Sequence, residues 1–301
     1  LNLTLILIIF SLNNKLSLEL IKIITLFLRI SIMDLRIFIW EYGKNDYITL
    51  YSDGHGYYGH EVSGYIRENL PMDLNHMIKA NKLKVRDDDL TEIIQATFVQ
   101  ENQSLLANKM IDSNLSGSTC VSVIYTPEKL IIANIGDSRC VLGKQKANGT
   151  WEHEDLSRDH TPAVPEEAAR IRSVGGRIRP MKDDDGSFIG PLRVYMKDKD
   201  MPGLAMTRSF GDYFASTAGT ISCPEVTEHK FQEEDKFIVL ASDGLFEFID
   251  SKEVMKIISE YYCKDDIVSC IEFLYKESCR RWIKEEGDTI DDITIIVVFF
   301  D

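Results

Sequence analysis

The sequence predicts an α+β protein in which helices cover stacked antiparallel β-sheets. Three observations carry this reading. V-S-V-I-Y and L-I-I-A-N-I are separated only by T-P-E-K, so they read as two strands joined by a tight turn. Residues 61–80 and 89–110 carry helical apolar spacing, with Val62, Tyr65, Ile66 and Leu70 on one face of the first segment. Four apolar runs read as buried strands, and each carries an aspartate at one end. Asp53 closes Y-I-T-L-Y-S-D, Asp137 closes L-I-I-A-N-I-G-D, Asp243 closes F-I-V-L-A-S-D, and Asp291 sits just ahead of I-T-I-I-V-V-F-F.

The remaining elements follow in order. Glu166 to Val174 reads as a short helix stopped by Gly175–Gly176. Residues 177–202 hold Asp183–Asp185, Gly186, Gly190, Pro191 and the charged K-D-K-D, which together read as a long surface loop or flap. The D-D-D-G within it lacks the ligand spacing and closing glutamate of a calcium loop. Residues 251–262 and 265–285 look helical, and the chain ends on a strand. No low-complexity linker or repeat follows residue 40, so residues 40–301 are expected to form one domain with its flap at about 177–202.

Residues 1–39 stand apart as an atypical apolar N-terminal segment, expected to contribute little to the core. Asn13, Asn14, Lys15, Glu19, Lys22 and Arg29 interrupt the apolar run, so no uncharged stretch approaches the roughly 20 residues a spanning helix needs. A basic n-region and a small-residue cleavage site are also missing. The expectation is a truncated or misassembled start to the sequence, with a membrane tether as the less favoured alternative.

Composition narrows the function classes. The 301 residues are 44% hydrophobic, enough for a substantial core, and carry a net charge of −14. That sign argues against a nucleic-acid partner. The six cysteines form no C-x-x-C pair and mostly lie in apolar stretches, as expected of reduced thiols in a cytoplasmic or nuclear protein.

The aspartates bear on chemistry. Carboxylates at strand ends converge at one sheet edge if the fourth strand runs opposite to the others. Clustered carboxylates raise one another's pKa, and the usual remedy is a hard divalent cation such as Mg²⁺ or Mn²⁺. An aspartate at a strand end is otherwise an ordinary turn former. The segment D-G-H-G-Y-Y-G-H, residues 53–60, adds a carboxylate, the accessible backbone carbonyl of Gly54, the titratable His55, and glycines 56 and 59 for tight backbone.

Nine short motifs then recur in order: D-G-H-G at 53, G-S-T at 117, A-N-I-G-D-S-R at 133, L-S-R-D-H-T-P at 156, E-x-x-R-I-x-x-x-G-G from Glu167, G-L-A-M-T-R-S-F-G-D at 203, P-E-V at 224, A-S-D-G-L-F-E at 241 and D-D-I-T at 291. With these the chain resembles the metal-dependent serine/threonine protein phosphatases of the 2C type from about Tyr47 to Phe299. The resemblance implies two stacked antiparallel sheets flanked by helices, a four-layer α-β-β-α sandwich, with two Mg²⁺ or Mn²⁺ ions at one edge and a weaker third. It implies that Asp53 bridges the two metals, that the Gly54 carbonyl ligates one, that Asp243 and Asp291 complete the other, and that Asp137 serves the third. His55 takes the position of the general acid for the departing serine or threonine oxygen. Ser138 and Arg139 are expected to tie down a strand end, His160 and Arg170 to brace the helix near Gly175, and Thr207, Arg208 and Asp212 to shape the flap base.

Some positions depart from the family pattern. An arginine followed by M-E-D is expected about twenty residues before D-G-H-G, and the nearest match is Arg29-Ile30-Ser31-Ile32-Met33-Asp34, without the glutamate. Asp292 replaces an asparagine, Glu247 an aspartate, and Tyr57 a glycine. The implied function is metal-dependent hydrolysis of phosphoserine and phosphothreonine in proteins, a signalling activity, by a monomeric enzyme. The alternative is a catalytically impaired relative that binds partners.

Overall fold

The chain folds around strands rich in Val, Ile and Phe, whose branched and aromatic side chains fit a pleated, buried surface. The computed structural model describes residues 6–12, 35–43, 46–86, 88–264 and 266–300. In chain order the elements begin with β1 (Ile6–Leu12), β2 (Leu35–Gly43) and β3 (Asp46–His55), followed by α1 (Gly59–Ala80) and α2 (Thr91–Ala107). Next come β4 (Gly117–Ser118), β5 (Cys120–Tyr125), β6 (Lys129–Ile135), β7 (Arg139–Gln145) and β8 (Trp151–Asp155). Helix α3 (Pro165–Ser173) leads into β9 (Arg177–Lys182), β10 (Phe188–Tyr195), β11 (Pro202–Leu204), β12 (Phe210–Gly211), α4 (Tyr213–Ser216) and β13 (Glu225–Lys230). The chain closes with β14 (Asp235–Ala241), α5 (Asp243–Phe246), α6 (Ser251–Tyr262), α7 (Ile267–Glu286) and β15 (Thr294–Phe300).

Contacts divide these elements into two compact units, where the sequence read one continuous domain. The first comprises Leu1–Met33, Ser138–Ser157 and His229–Asp301, and the second Asp34–Asp137 and Arg158–Glu228. Neither unit is contiguous in sequence, so no linker composition marks the boundary.

The first unit is built on a five-stranded sheet ordered β1-β15-β14-β7-β8. Strand β1 pairs parallel with β15, and the other neighbours pair antiparallel. Its core joins Val141, Phe237, Val239, Ile295 and Val297 of the sheet to Leu245, Val254, Ile258 and Leu274 of the helices. Asp250 and Asp266 cap α6 and α7 by accepting from the backbone N–H of Glu253 and Ser269. The apolar segment set apart at 1–39 thus contains β1 and the start of β2.

The second unit holds a seven-stranded sheet ordered β12-β4-β3-β5-β6-β13, with β2 paired to β3. The expected hairpin is β5–β6, closed by Thr126 N–H donating to the Lys129 carbonyl at 3.0 Å. Helix α1 buries Val62, Ile66, Leu70, Leu74 and Ile78, one residue per turn, and each such burial contributes about 1.5–3 kcal/mol. Tyr65, expected on this face, is only partly buried. Residues 177–202, expected as a loop, instead form a three-stranded antiparallel sheet of β9, β10 and β11. Its strands escaped sequence reading because most of their side chains are exposed or only partly buried and show no sustained apolar alternation.

Candidate active site

The D-G-H segment lies at the end of β3, and G-S-T explains how it is held. Strand β4 pairs Gly54 with Ser118 and His55 with Gly117. The Asp53 carbonyl accepts from the Thr119 N–H at 2.9 Å and from Ser118 Oγ at 3.0 Å, and the Asp53 N–H donates to Thr119 Oγ1 at 3.2 Å. Gly56 turns the chain at φ +80°, and the Tyr58 N–H donates to Ser116 Oγ at 3.0 Å. A side chain at Gly59 would lie 2.6 Å from the Gly54 carbonyl carbon, so α1 can start this close only with glycine there.

His55 meets a partner that the sequence assigned to another task. Its Nε2 lies 2.6 Å from Oδ2 of Asp212, which is 2% exposed. The same oxygen accepts from Ser209 Oγ at 2.7 Å. Burial pushes the imidazole pKa down, but the charge and hydrogen bond of Asp212, reinforced by Asp137 and Asp53, carry it above its ordinary value. The second unit therefore brings Asp53, Asp137 and Asp212 within electrostatic reach of His55. Asp212, assigned to the flap base by sequence, is thus also the hydrogen-bond partner of His55, which that reading did not foresee. Its one signal was a G-D pair closing a motif.

Asp137 follows β6 across Gly136, whose carbonyl accepts from the His160 N–H at 2.8 Å. His160 is fully buried with Nε2 at 3.2 Å from Glu225, and burial followed by the Arg208 charge lowers its pKa to about 4. It stays neutral at physiological pH, hydrogen-bonds with Glu225, Gly136 and Thr207, and feels the charge of Glu167 on α3, the helix that ends near Gly175. Arg170 does brace that region, donating to the Gly219 and Thr207 carbonyls and to Glu167. Glu167 is 1% exposed and also accepts from Thr207 Oγ1 at 2.6 Å and Arg208 at 2.6 Å. Burial opposes its charge, yet the donors from Arg170, Arg208 and Thr207 prevail and hold the carboxyl well below the usual range.

In the first unit, Asp243 opens α5 directly after β14, and Asp291 precedes β15. Because β14 and β15 run antiparallel, with Ala241 opposite Ile295, both carboxylates stand at the same end of the strand pair, as the strand directions required. Ser242 Oγ ties this end together, donating to the Asp292 carbonyl at 2.9 Å and accepting from the Thr294 N–H at 3.1 Å. Crowding by surrounding protein raises the Asp291 pKa, against the Asp292 N–H that donates to it at 2.7 Å. Arg139 ties down its strand end as expected, donating to Ser251 Oγ at 2.9 Å beneath the Phe246 ring. Tyr57 is 84% exposed and edge-on to Tyr58. Arg29 to Asp34, with the expected M-E-D remnant, lie outside the described residues.

The donors are hard oxygens, as Mg²⁺ or Mn²⁺ requires, and the Gly54 backbone is seated where only glycine 59 leaves room. Among the described residues, no group of three or more His, Cys, Asp or Glu side chains is gathered in a metal-holding arrangement. No helix among them is long and apolar enough to cross a membrane.

The family model for protein phosphatase 2C matches residues 28–284, beginning ahead of residue 40 and ending before Asp291. The chain belongs to the protein phosphatase 2C family. Probable protein phosphatase 2C 65 of Arabidopsis thaliana is 33% identical over 87% of this chain and 71% of its own length. Probable protein phosphatase 2C 72 of the same plant is 34% identical over 82% and 74%. Among solved structures, a serine-threonine phosphatase 2C from Toxoplasma gondii aligns with a TM-score of 0.69 at 18% identity, covering 89% of this chain and 94% of that one. A C. elegans sex determining protein aligns at 0.68 and 20% identity, covering 89% and 62%. These likenesses give the fold, and family membership makes the chain a protein serine/threonine phosphatase.

Proposed function

We propose that this protein phosphatase 2C chain hydrolyses phosphoserine and phosphothreonine in proteins with Mg²⁺ or Mn²⁺ as cofactor. Ligand roles go to Asp53, the Gly54 carbonyl and Asp137 in the second unit, and to Asp243 and Asp291 in the first. When bound, such ions make water acidic enough to attack near neutral pH and offset charge on the phosphoryl oxygens. The observation that carries the reading is the seat of His55, immediately after Asp53 and Gly54, hydrogen-bonded to a buried carboxylate. His55 holds the proton that the leaving oxygen needs. Water oxygen bonds to phosphorus, the P–O bond to serine or threonine breaks, and the released oxygen leaves with the His55 proton.

The test compares phosphoserine peptide and p-nitrophenyl phosphate, with Mg²⁺ or Mn²⁺ and with EDTA. Turnover should require the ion. His55→Ala should slow peptide hydrolysis by about 10²–10⁴-fold and slow the aryl ester less, because nitrophenolate leaves without a proton. Turnover in EDTA would overturn the cofactor assignment, and equal losses on both substrates would remove His55 as the acid.

A further inference from the structure

The geometry points to Asp212 as the positioning residue that fixes the ring of His55 and directs its Nδ1 edge to the substrate, an inference that rests on the general-acid role above. Three strands bring about the meeting of residues 157 positions apart. Gly117 of β4 pairs with His55 of β3 on one side and with Gly211 of β12 on the other, so Asp212 leaves the shelf one residue beyond that row. Gly117 supplies the space: a Cβ there would lie 2.1 Å from Asp212 Oδ2. Phe210 anchors β12, buried and stacked on Phe98 at 5.3 Å.

Asp212 is held more firmly than a flap tether requires. It sits in the left-handed region at φ +47° and ψ +49°, one of two non-glycine residues at positive φ among those described. Such backbone persists only where the surroundings over-determine it, and it gathers at functional sites. The Asp212 N–H donates to the Ser116 carbonyl at 3.0 Å, and the Gly211 N–H to Asn102 Oδ1 at 2.8 Å. Ser209 Oγ then holds Oδ2 by donating to it at 2.7 Å. With Nε2 committed to this oxygen, the neutral ring carries its hydrogen on Nε2, and Nδ1 is the nitrogen left for proton transfer. A carboxylate that fixes tautomer and ring orientation in this way acts through the histidine, not on the substrate.

A carboxylate that only ties the flap base to the core predicts different behaviour, which a double-mutant cycle detects. Asn tolerates the left-handed backbone, so Asp212→Asn retains the shape while removing the charge. It should slow phosphoserine-peptide hydrolysis by about 10–100-fold, with a smaller loss on p-nitrophenyl phosphate. In the His55→Ala background it should add no further loss, because its effect passes through the missing ring. Additive losses, or equal losses on both substrates with an unchanged melting temperature, would overturn the assignment. Ring-nitrogen NMR of His55 in the full chain without added metal supplies a readout apart from activity. In its neutral form the wild-type ring should show hydrogen on Nε2, and Asp212→Ala should lose that preference; an unchanged tautomer would equally sink the idea. If Asp212→Asn does not fold, Ser209→Ala removes the second bond to Oδ2 and should give a weaker loss with the same substrate bias, absence of that bias counting against the assignment. A wild type without turnover would instead remove the general-acid role, while the tautomer measurement still decides the pairing.

Discussion

Glu101 offers a test of how the helical layer of the second unit is held. Its carboxyl, on α2, is 1% exposed, and its Oε1 has no hydrogen-bond partner. Burial, followed by the hydrogen bond and charge of Asp73 on α1, raises its pKa from about 4.5 to about 8. The folded protein therefore holds a proton here that the unfolded chain releases, so the associated stability is complete below about pH 4.5 and lost as pH rises toward 8. One pKa unit corresponds to about 1.4 kcal/mol, so the span from 4.5 to neutral pH sets a ceiling of roughly 3.5 kcal/mol. Sharing of the proton with Asp73 lowers this to about 1–3 kcal/mol. Glu101→Gln is neutral at every pH and nearly isosteric. It should match the wild type near pH 5 and exceed it at pH 8, with a gain of about 3–8 °C in melting temperature. The measurement is the difference between the two melting curves across pH, in which other titrating groups cancel. A difference that stays flat, or that grows toward acid, would refute the buried-proton account.

Two further outcomes follow from the same bookkeeping of charge. Glu167→Gln leaves Arg170 and Arg208 facing a neutral amide and should destabilise by about 3–5 kcal/mol in chemical denaturation; because the folded Glu167 pKa is depressed, the wild-type advantage should be present above about pH 4.5 and shrink as pH falls. Asp243→Asn should remove most phosphatase activity and raise the Mg²⁺ concentration needed for what remains, since an amide ligates a hard cation poorly; full activity at unchanged Mg²⁺ demand would exclude Asp243 from ligation.

Much of the architecture is written in local periodicity. The V-S-V-I-Y hairpin and the α1, α2, α6 and α7 helices are legible because their apolar spacing repeats within a few residues. Arg177–Lys182 and Trp151–Asp155 are strands that sequence reading missed, since charged side chains crowd both and neither alternates. The end-on placement of Asp243 and Asp291 was legible because it needs only that two apolar runs pair antiparallel. The division into two units was not, because each unit draws on separated stretches of chain.

The pairing of His55 with Asp212 was hidden for a different reason. It depends on register, and register is set by backbone pairing across β3, β4 and β12 rather than by any property of the two residues. The trace it leaves in sequence is indirect: the smallness of Gly117, which a methyl group would bring into collision with the carboxylate. G-S-T and G-D thus act as two halves of one device. Ser118 and Thr119 hold the backbone that carries Asp53, and Gly117 leaves room for the carboxylate that holds His55. The small residues of such motifs carry no chemistry themselves; they encode how closely the chemistry-bearing side chains approach.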